Sequence, residues 1–161
     1  MAHQNTSITD YVGRTVDIAA YKGWEVGGRV QVEQALVLPG KSGELIAGIE
    51  KLVQRFAIEL LTEEASLTYL PSRGTIFMTN ARQGYWRTSG DVQASFTLAL
   101  LTATNNLQAE ESLDDPDDER FSSAELVSVS LFGNVVTMSV KIVSLAGTAF
   151  TALLPLTVSP Y

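Results

Sequence analysis

Residues 44–62 constrain most strongly what this chain can fold into. Apolar side chains recur there at steps of three and four residues, which is the period of one face of an α-helix. The face consists of Leu45, Ile49, Leu52, Phe56 and Leu60, widened by Ile46, Val53, Ala57 and Leu61. Ser42 is placed to cap this helix, and Glu44 lies in its first turn. So wide an apolar face predicts burial against more than one neighbour, either the chain's own sheet or another subunit.

A second helix is predicted to begin where Thr88 and Asp91 have the spacing of a capping box, and to end near Glu110. Its apolar face consists of Val92, Phe96, Leu100, Ala103 and Leu107. Between the two helices, residues 65–87 are interrupted by proline and glycine and also hold several aromatic side chains. This composition indicates loops and a hairpin.

The C-terminal third of the chain has the pattern of β-strands. Three strands are predicted at about residues 125–132, 135–144 and 148–154, with turns at Gly133-Asn134 and Ala146-Gly147. Apolar and polar side chains alternate in the first two strands, which predicts one buried and one polar face. The apolar set consists of Val127, Val129, Leu131, Val136, Met138, Val140 and Ile142.

The N-terminal part has weaker patterns. Residues 1–10 are polar and read as a flexible tail, and residues 15–21 and 30–38 are predicted short strands. We expect residues 11–161 to form a single α+β domain, a length that suits one ordinary domain. In this fold the long helix and the second helix pack on a mostly antiparallel sheet that ends in a C-terminal β-meander.

Charge and composition exclude several classes of function. The net charge is −7 and basic residues are scattered singly, so we expect no nucleic-acid partner. No apolar run approaches the ~18 residues that suggest a membrane span. The chain has no cysteine, and its one histidine, His3, lies in the predicted tail, which argues against a zinc site or a catalytic triad. Neither phosphate-binding glycine pattern occurs. The residues therefore predict no enzyme activity and no cofactor.

Acidic side chains are the remaining candidates for chemistry. Residues 110–120 hold seven of them around Pro116, and we predict a solvated loop because like charges repel and little there can be buried. This run lacks the spaced oxygens and central glycine of a calcium-binding loop. Glu63 and Glu64 close the first helix, where a solvated helix end is the simpler interpretation than a catalytic pair.

The first helix also carries a recognisable pattern. It contains Gly48, Lys51-Leu52 and Gln54-Arg55, followed by Leu61-Thr62 and, after a gap, by Gly74-Thr75. The pattern resembles that of the small baseplate wedge proteins of contractile phage tails, a family sometimes labelled lysozyme-like. Members share a helix of the form G-x-x-K-L-x-Q-R, then L-L-T and a G-T or G-S turn. The likeness spans residues 46–75, and the order of the later elements also matches.

Two positions depart from the family pattern. Ala65 stands before Ser66 where the family usually has a glycine. Asp118-Glu119-Arg120 stands where members often carry a Glu-Pro-Arg triplet, so the central proline is missing here.

The resemblance implies a structural role in the virion, in a tail baseplate assembled in the host cytoplasm. The chain would join other wedge subunits around the central hub and tube proteins, in six copies or a multiple, and would initiate the tail sheath. Sheath arms would add to an open C-terminal strand through backbone hydrogen bonds. The residues implied to bind partners are Arg55, Glu119, Arg120, Thr148, Phe150, Ala152 and Leu154.

Two alternatives stay open at this point. The chain could be another phage tail module, such as a tube, terminator or completion protein, because a meander with a helix occurs there too. The family's old label suggests a peptidoglycan hydrolase, which would need two carboxylates held in a cleft.

Overall fold

The structure, a computed structural model, describes residues 14, 16–18, 25–26, 29–30 and 45–157. The helices are α1 (Ile49–Leu61), α2 (Phe77–Arg82) and α3 (Ser89–Glu110). The strands are β1 (Asp17–Ile18), β2 (Glu25–Val26), β3 (Arg29–Val30), β4 (Leu45–Ile46), β5 (Phe121–Phe132), β6 (Val135–Ser144) and β7 (Ala149–Thr157). The described residues thus have the predicted α+β fold with a C-terminal three-stranded meander. The predicted tail and most of the predicted strand at 30–38 lie outside the described residues.

The long helix begins later than predicted. Leu45 and Ile46 form β4, which pairs antiparallel with β1, and α1 starts only at Ile49. In β4 the Ile46 side chain is buried and that of Leu45 is exposed, which is the alternation of a strand. Both residues fit the helical spacing as well, so periodicity alone could not separate the two elements. The apolar face of α1 is otherwise as predicted, with Leu52, Phe56 and Leu60 fully buried.

The segment between the long helices contains α2 instead of the predicted hairpin. Phe77 at its start is fully buried. Its ring centroid lies 4.6 Å from that of Trp86 and 6.3 Å from that of Phe96 on α3. A six-residue helix is too short to show a helical period, which is why the sequence pattern did not reveal it.

The predicted start of α3 is confirmed. Thr88 Oγ1 accepts a hydrogen bond from Asp91 N, while the Asp91 carboxylate accepts from Thr88 N at 2.7 Å. These two bonds satisfy donors that the first turn of a helix leaves unpaired. Together they fix where the 22-residue helix begins.

The strands β5, β6 and β7 form one antiparallel sheet in that order, so β6 is central and the other two are edges. β6 has the bounds that were predicted. β5 begins at Phe121, earlier than predicted, and β7 runs on through Pro155 to Thr157. The inner face carries Val136, Met138, Val140, Ile142, Ala152, Leu154 and Leu156, all buried.

The alternation predicted for β5 is wrong at Val127, whose side chain is 57% exposed. The pairing with β6 shifts by one residue between Leu126 and Ser128. This bulge reverses the face that each later side chain takes. Leu126 and Val129 both pack against the core as a result.

Both long helices pack on the inner face of this sheet. α1 contacts β6 and β7, whereas α3 contacts β5 and α1. Phe56 of α1 stacks on Phe121 at the start of β5, with ring centroids 5.7 Å apart. In the part of the chain that the structure describes, no helix has the length and hydrophobicity to cross a bilayer.

Candidate functional site

A line of charged side chains runs along α1 beside its apolar face. Lys51, Arg55 and Glu59 are four residues apart, so they lie one above the other on the same side of the helix. The apolar face predicted for this helix includes none of the three. The structure instead buries Glu59 almost completely, at 1% exposure. A carboxylate in that position must be paired, because an isolated buried charge is costly.

Glu119 is the first anchor of this charged line. Its Oε1 accepts a hydrogen bond from Gly48 N at 3.1 Å, and its Oε2 lies 2.9 Å from Lys51 Nζ. Arg55 donates to the Glu119 backbone carbonyl at 3.4 Å. The prediction that the whole acidic segment is solvated is therefore wrong for Glu119, which is 1% exposed. Its contacts hold the start of α1 against the chain two residues before β5.

Glu59 is the second anchor. Its Oε1 accepts from Gly74 N at 2.8 Å and from Asn106 Nδ2 of α3 at 2.5 Å. Its Oε2 lies 3.2 Å from Arg73 Nε. One buried carboxylate therefore joins α1, the loop before α2, and α3.

Glu110, at the end of α3, connects the two anchors. Its carboxylate pairs with Arg73 and lies 3.8 Å from Arg55. The Glu110 carboxylate accepts a hydrogen bond from Arg73 and so raises the pKa of the Arg73 guanidinium, and Glu59 adds to that shift. We call Lys51, Arg55, Glu59, Arg73, Glu110 and Glu119 the ionic network. Charge alternates along it, so each buried group has a partner of opposite sign.

Arg120, a residue implied to bind partners, is held at the edge of the ionic network. Its guanidinium donates to Asp117 at 3.3 Å, and its backbone carbonyl accepts from Leu145 N at 2.9 Å. The Nε atom of Arg120 is buried and has no hydrogen-bond partner among the described residues. Arg55, Glu119 and Arg120 thus lie close together, although Arg55 and Glu119 are already engaged within the chain.

Three turns of this region need a left-handed backbone. Gly48 has φ of 62°, Gly74 has φ of 88°, and Ala65 has φ of 61°. A Cβ on Gly74 would lie 2.5 Å from the backbone oxygen of Thr62, and one on Gly48 would lie 2.7 Å from Asp118 Oδ2. Conformation therefore favours glycine at both places, and at Gly74 the surrounding backbone leaves no room for a side chain either. Ala65 takes a conformation that costs a residue with a side chain roughly 1–2 kcal/mol.

The four residues of the predicted strand that were implied to bind partners differ in burial. Thr148 is exposed in the turn before β7, where its carbonyl accepts from Ser144 N at 2.9 Å. Phe150 is partly buried, whereas Ala152 and Leu154 are buried in the core. The side chains of Ala152 and Leu154 therefore serve the core. Their backbone groups bond to β6, so the outward groups of this strand belong to the residues between them.

The outer side of β7 is unpaired among the described residues. Pro155 faces Thr137 and has no N–H, so this pair is one that exchanges no hydrogen bonds. Such pairs alternate with bonded ones along an antiparallel ladder. Ala149, Thr151 and Leu153 therefore direct their N–H and C=O groups outward, away from β6.

The remaining acidic candidates have local partners. Glu63 pairs with Arg82 at 2.8 Å, and Glu64 is exposed beside it. Glu111 accepts from Phe121 N at 2.6 Å, and burial raises the pKa of its carboxyl. Within residues 45–157 and the few described before them, no three acidic, histidine or cysteine side chains are grouped to hold a metal ion.

The chain was compared with protein-family models, with curated proteins and with solved structures, and none of them matches it.

Proposed function

We propose that this chain is a structural protein of a contractile-tail baseplate, which joins wedge subunits around the hub and initiates the sheath by strand addition at β7. It would act in six copies or a multiple, as part of the virion, and without enzyme activity. The observation that carries the proposal is the coincidence between the family's glycine pattern and the left-handed turns of this structure.

That coincidence covers three positions. The pattern has glycine at Gly48 and at Gly74, and usually at the position occupied here by Ala65. All three have φ between 61° and 88°. A non-glycine residue with positive φ is uncommon, so the family's glycine and the strained alanine support the same local backbone. If the likeness of the two sequence patterns were due to chance, this agreement between glycine positions and positive φ values would have no explanation.

The ionic network supplies a second argument. Gly48, Lys51 and Arg55 from the first half of the pattern contact Glu119, which lies 64–71 residues further along the chain. Gly74 from the second half contacts Glu59, and so does the neighbouring Arg73. Residues that the resemblance singles out are thus assembled around two buried carboxylates. This arrangement favours a shared scaffold, and it occupies both carboxylates with structural contacts.

The free edge of β7 supplies the means of binding. An edge strand with unpaired backbone groups is a template for another chain, and proteins ordinarily protect such edges. Ala149, Thr151 and Leu153 present such groups, and the side chains of all three are exposed. An extended sheath arm could therefore pair with this edge without any rearrangement of the sheet.

Binding to the sheath protein encoded near this chain's reading frame tests the proposal. Thr151→Pro removes an outward N–H from the middle of the edge, while the bonds to β6 stay intact. We expect this variant to fold normally and to lose sheath binding, measured with purified sheath protein in the presence and absence of other wedge subunits. Thr157→Pro is the matched control, because it makes the same change beyond Pro155 and should leave binding unchanged.

Two results would contradict the proposal. One is a strictly monomeric chain that fails to bind sheath protein both with and without the other wedge subunits. The other is a set of neighbouring reading frames that encode tube or terminator proteins and no larger baseplate subunits, which would favour a tube or completion protein. A turbidity assay on cell walls tests the hydrolase, and lysis abolished by Glu63→Gln or Glu64→Gln would support it.

A further inference from the structure

A loop that ends at Arg73 and Gly74, beside the ionic network, projects apolar side chains into solvent. We call residues 64–74 the apolar loop. Tyr69 is 94% exposed, Leu70 is 55% exposed and Leu67 is 44% exposed. The eight residues from Ala65 to Ser72 carry no charge. Single exposed apolar residues are ordinary, but three in four positions of one uncharged loop form a patch that calls for an explanation.

The apolar loop is held in one shape by its own backbone. Thr75 N donates to Thr62 O at 2.8 Å and Glu64 N donates to Thr75 O at 3.2 Å, which closes the base of the loop. Further bonds cross its interior, from Ala65 N to Pro71 O, Ser66 N to Glu63 O, Leu70 N to Leu67 O and Arg73 N to Leu70 O. Ala65 and Gly74, near the two ends of the loop, have the left-handed backbone conformation that its turns require.

The ionic network fixes the position of the apolar loop on the domain. Arg73 pairs with Glu59 and Glu110, and Asn106 of α3 donates to the Ser72 carbonyl at 2.9 Å. A rigid projection loses little conformational entropy when it binds, so its buried area contributes more fully to affinity. Tyrosine on such a projection has the character of an interface hot spot.

We propose that the apolar loop is the docking surface for a different baseplate subunit, which receives Tyr69 and Leu70 in an uncharged apolar pocket with a basic rim. This inference rests on the proposed function. A pocket that takes Tyr69 also needs a polar group to pair with its phenol hydroxyl.

Charge selects this occupant over a second copy of the chain. The chain has a net charge of −7, so two copies repel each other on average, whereas a basic rim would be attracted. Glu64, at the margin of the apolar loop, is exposed and available to such a rim.

The experiment measures affinity of the full-length chain for each purified baseplate subunit and for the sheath protein encoded by neighbouring reading frames. Tyr69→Ser combined with Leu70→Ser should weaken binding to one wedge subunit by at least about 30-fold, as loss of a hot spot does. Sheath binding should stay unchanged, because β7 is untouched. Leu113→Ser is the matched control, since Leu113 is 88% exposed in a different loop and should not affect either partner.

A second variant tests the basic rim proposed for the partner's pocket. Glu64→Lys should slow association with the same wedge subunit and reduce the dependence of that association on salt. Thermal unfolding of every variant should match the wild type, because the substituted side chains are exposed.

The outcomes separate this inference from the proposed function. Unchanged wedge affinity in the double variant overturns the docking surface but leaves sheath initiation standing. Self-association of the wild type that disappears in the double variant shows that the occupant is a second copy and overturns the inference. A wild-type chain that binds neither wedge subunits nor sheath protein overturns both.

Discussion

At the scale of single residues, Ala65 is the clearest departure from what the sequence pattern prefers. Its φ of 61° lies in the left-handed region, where a Cβ is unfavourable. The backbone bonds of the apolar loop hold it there, as Ala65 N donates to Pro71 O at 3.3 Å. The chain therefore keeps a conformation that glycine would take without strain, at a cost in stability.

Ala65→Gly should stabilise the chain by up to about 1 kcal/mol. The relief of the left-handed conformation, roughly 1–2 kcal/mol, exceeds the added flexibility of glycine in the unfolded chain. Urea unfolding would measure the change. Ala94→Gly, on the exposed side of α3, is the control and should destabilise by about 1 kcal/mol, since that position is helical. A loss of stability in Ala65→Gly would contradict the strained turn.

Glu111→Gln should leave stability unchanged or raise it at neutral pH. Burial raises the pKa of this carboxyl above its ordinary value of 4.5, so the folded state favours the protonated form. The ionised wild type is therefore penalised at neutral pH, and the penalty disappears as the pH falls below that ordinary value. The glutamine Oε1 can still accept from Phe121 N.

The measurement for Glu111→Gln is the free energy of unfolding of both proteins from pH 3 to pH 8. The difference between variant and wild type should shrink toward the acid end of this range. A glutamine variant that is markedly less stable at pH 7 would show that the charge itself is needed.

At the scale of elements, the sequence predicted those features that neighbouring residues determine and missed those that they do not. The start of α3 was predictable because Thr88 and Asp91, three residues apart, cap each other. The strand β6 was predictable because apolar and polar side chains alternate along it without a break. The start of α1 was not, because Leu45 and Ile46 satisfy both a helical and a strand pattern. The bulge in β5 was missed because an extra residue leaves no mark on composition.

The candidate site likewise contains residues that a sequence pattern marked and residues that no local pattern marked. Arg55, Glu119 and Arg120 were singled out in advance by the resemblance, and they lie together in the structure. Glu59 was missed, although its position four residues after Arg55 and eight after Lys51 marked a charged line on α1. Its burial depends on Gly74 and Asn106, 15 and 47 residues away, and such distant contacts leave no local pattern.

Glu119→Ala should destabilise the chain by about 3–5 kcal/mol, because it leaves Lys51 without the carboxylate and Gly48 N without that acceptor. Glu119→Gln should cost less, because an amide oxygen can still accept from Gly48 N. Chemical denaturation would measure both. Asp118→Asn is the neighbouring control and should cost at most about 1 kcal/mol, since the Arg14–Asp118 pair is partly exposed.

At the scale of the whole molecule, the two sides of α1 make different kinds of contact. Its apolar side is buried against the inner face of the sheet and against α3, and its charged side holds the ionic network. The wide apolar face predicted from the sequence is accounted for by contacts within the chain. Another subunit is therefore not needed to cover the buried face of α1. Apart from Ile58 on α1, the large exposed apolar side chains of the described residues lie on other elements.

Leu52→Asp should unfold the chain. The side chain of Leu52 is completely buried, and an unpaired carboxylate there would offset most of a total stability that is about 5–15 kcal/mol for a domain. Loss of the far-ultraviolet circular dichroism signal at 25 °C would show this. Arg55→Ala is the comparison on the charged side. This variant should stay folded at that temperature and, under the proposed function, should weaken co-assembly with wedge subunits. Undiminished co-assembly would mean that Arg55 acts within the chain alone.

Pro155 has a consequence for how tightly one copy can hold a partner strand. Because it interrupts the row of donors, an added strand would find a continuous run of outward N–H groups only at Ala149, Thr151 and Leu153. Each backbone hydrogen bond contributes roughly 0.5–1.5 kcal/mol net, so a single site this short would bind weakly. Under the proposed function, a closed ring of copies would supply the missing strength through avidity. Isolated copies would then hold sheath protein only weakly until the ring is complete, so the short outward edge of β7 would delay sheath assembly until that stage.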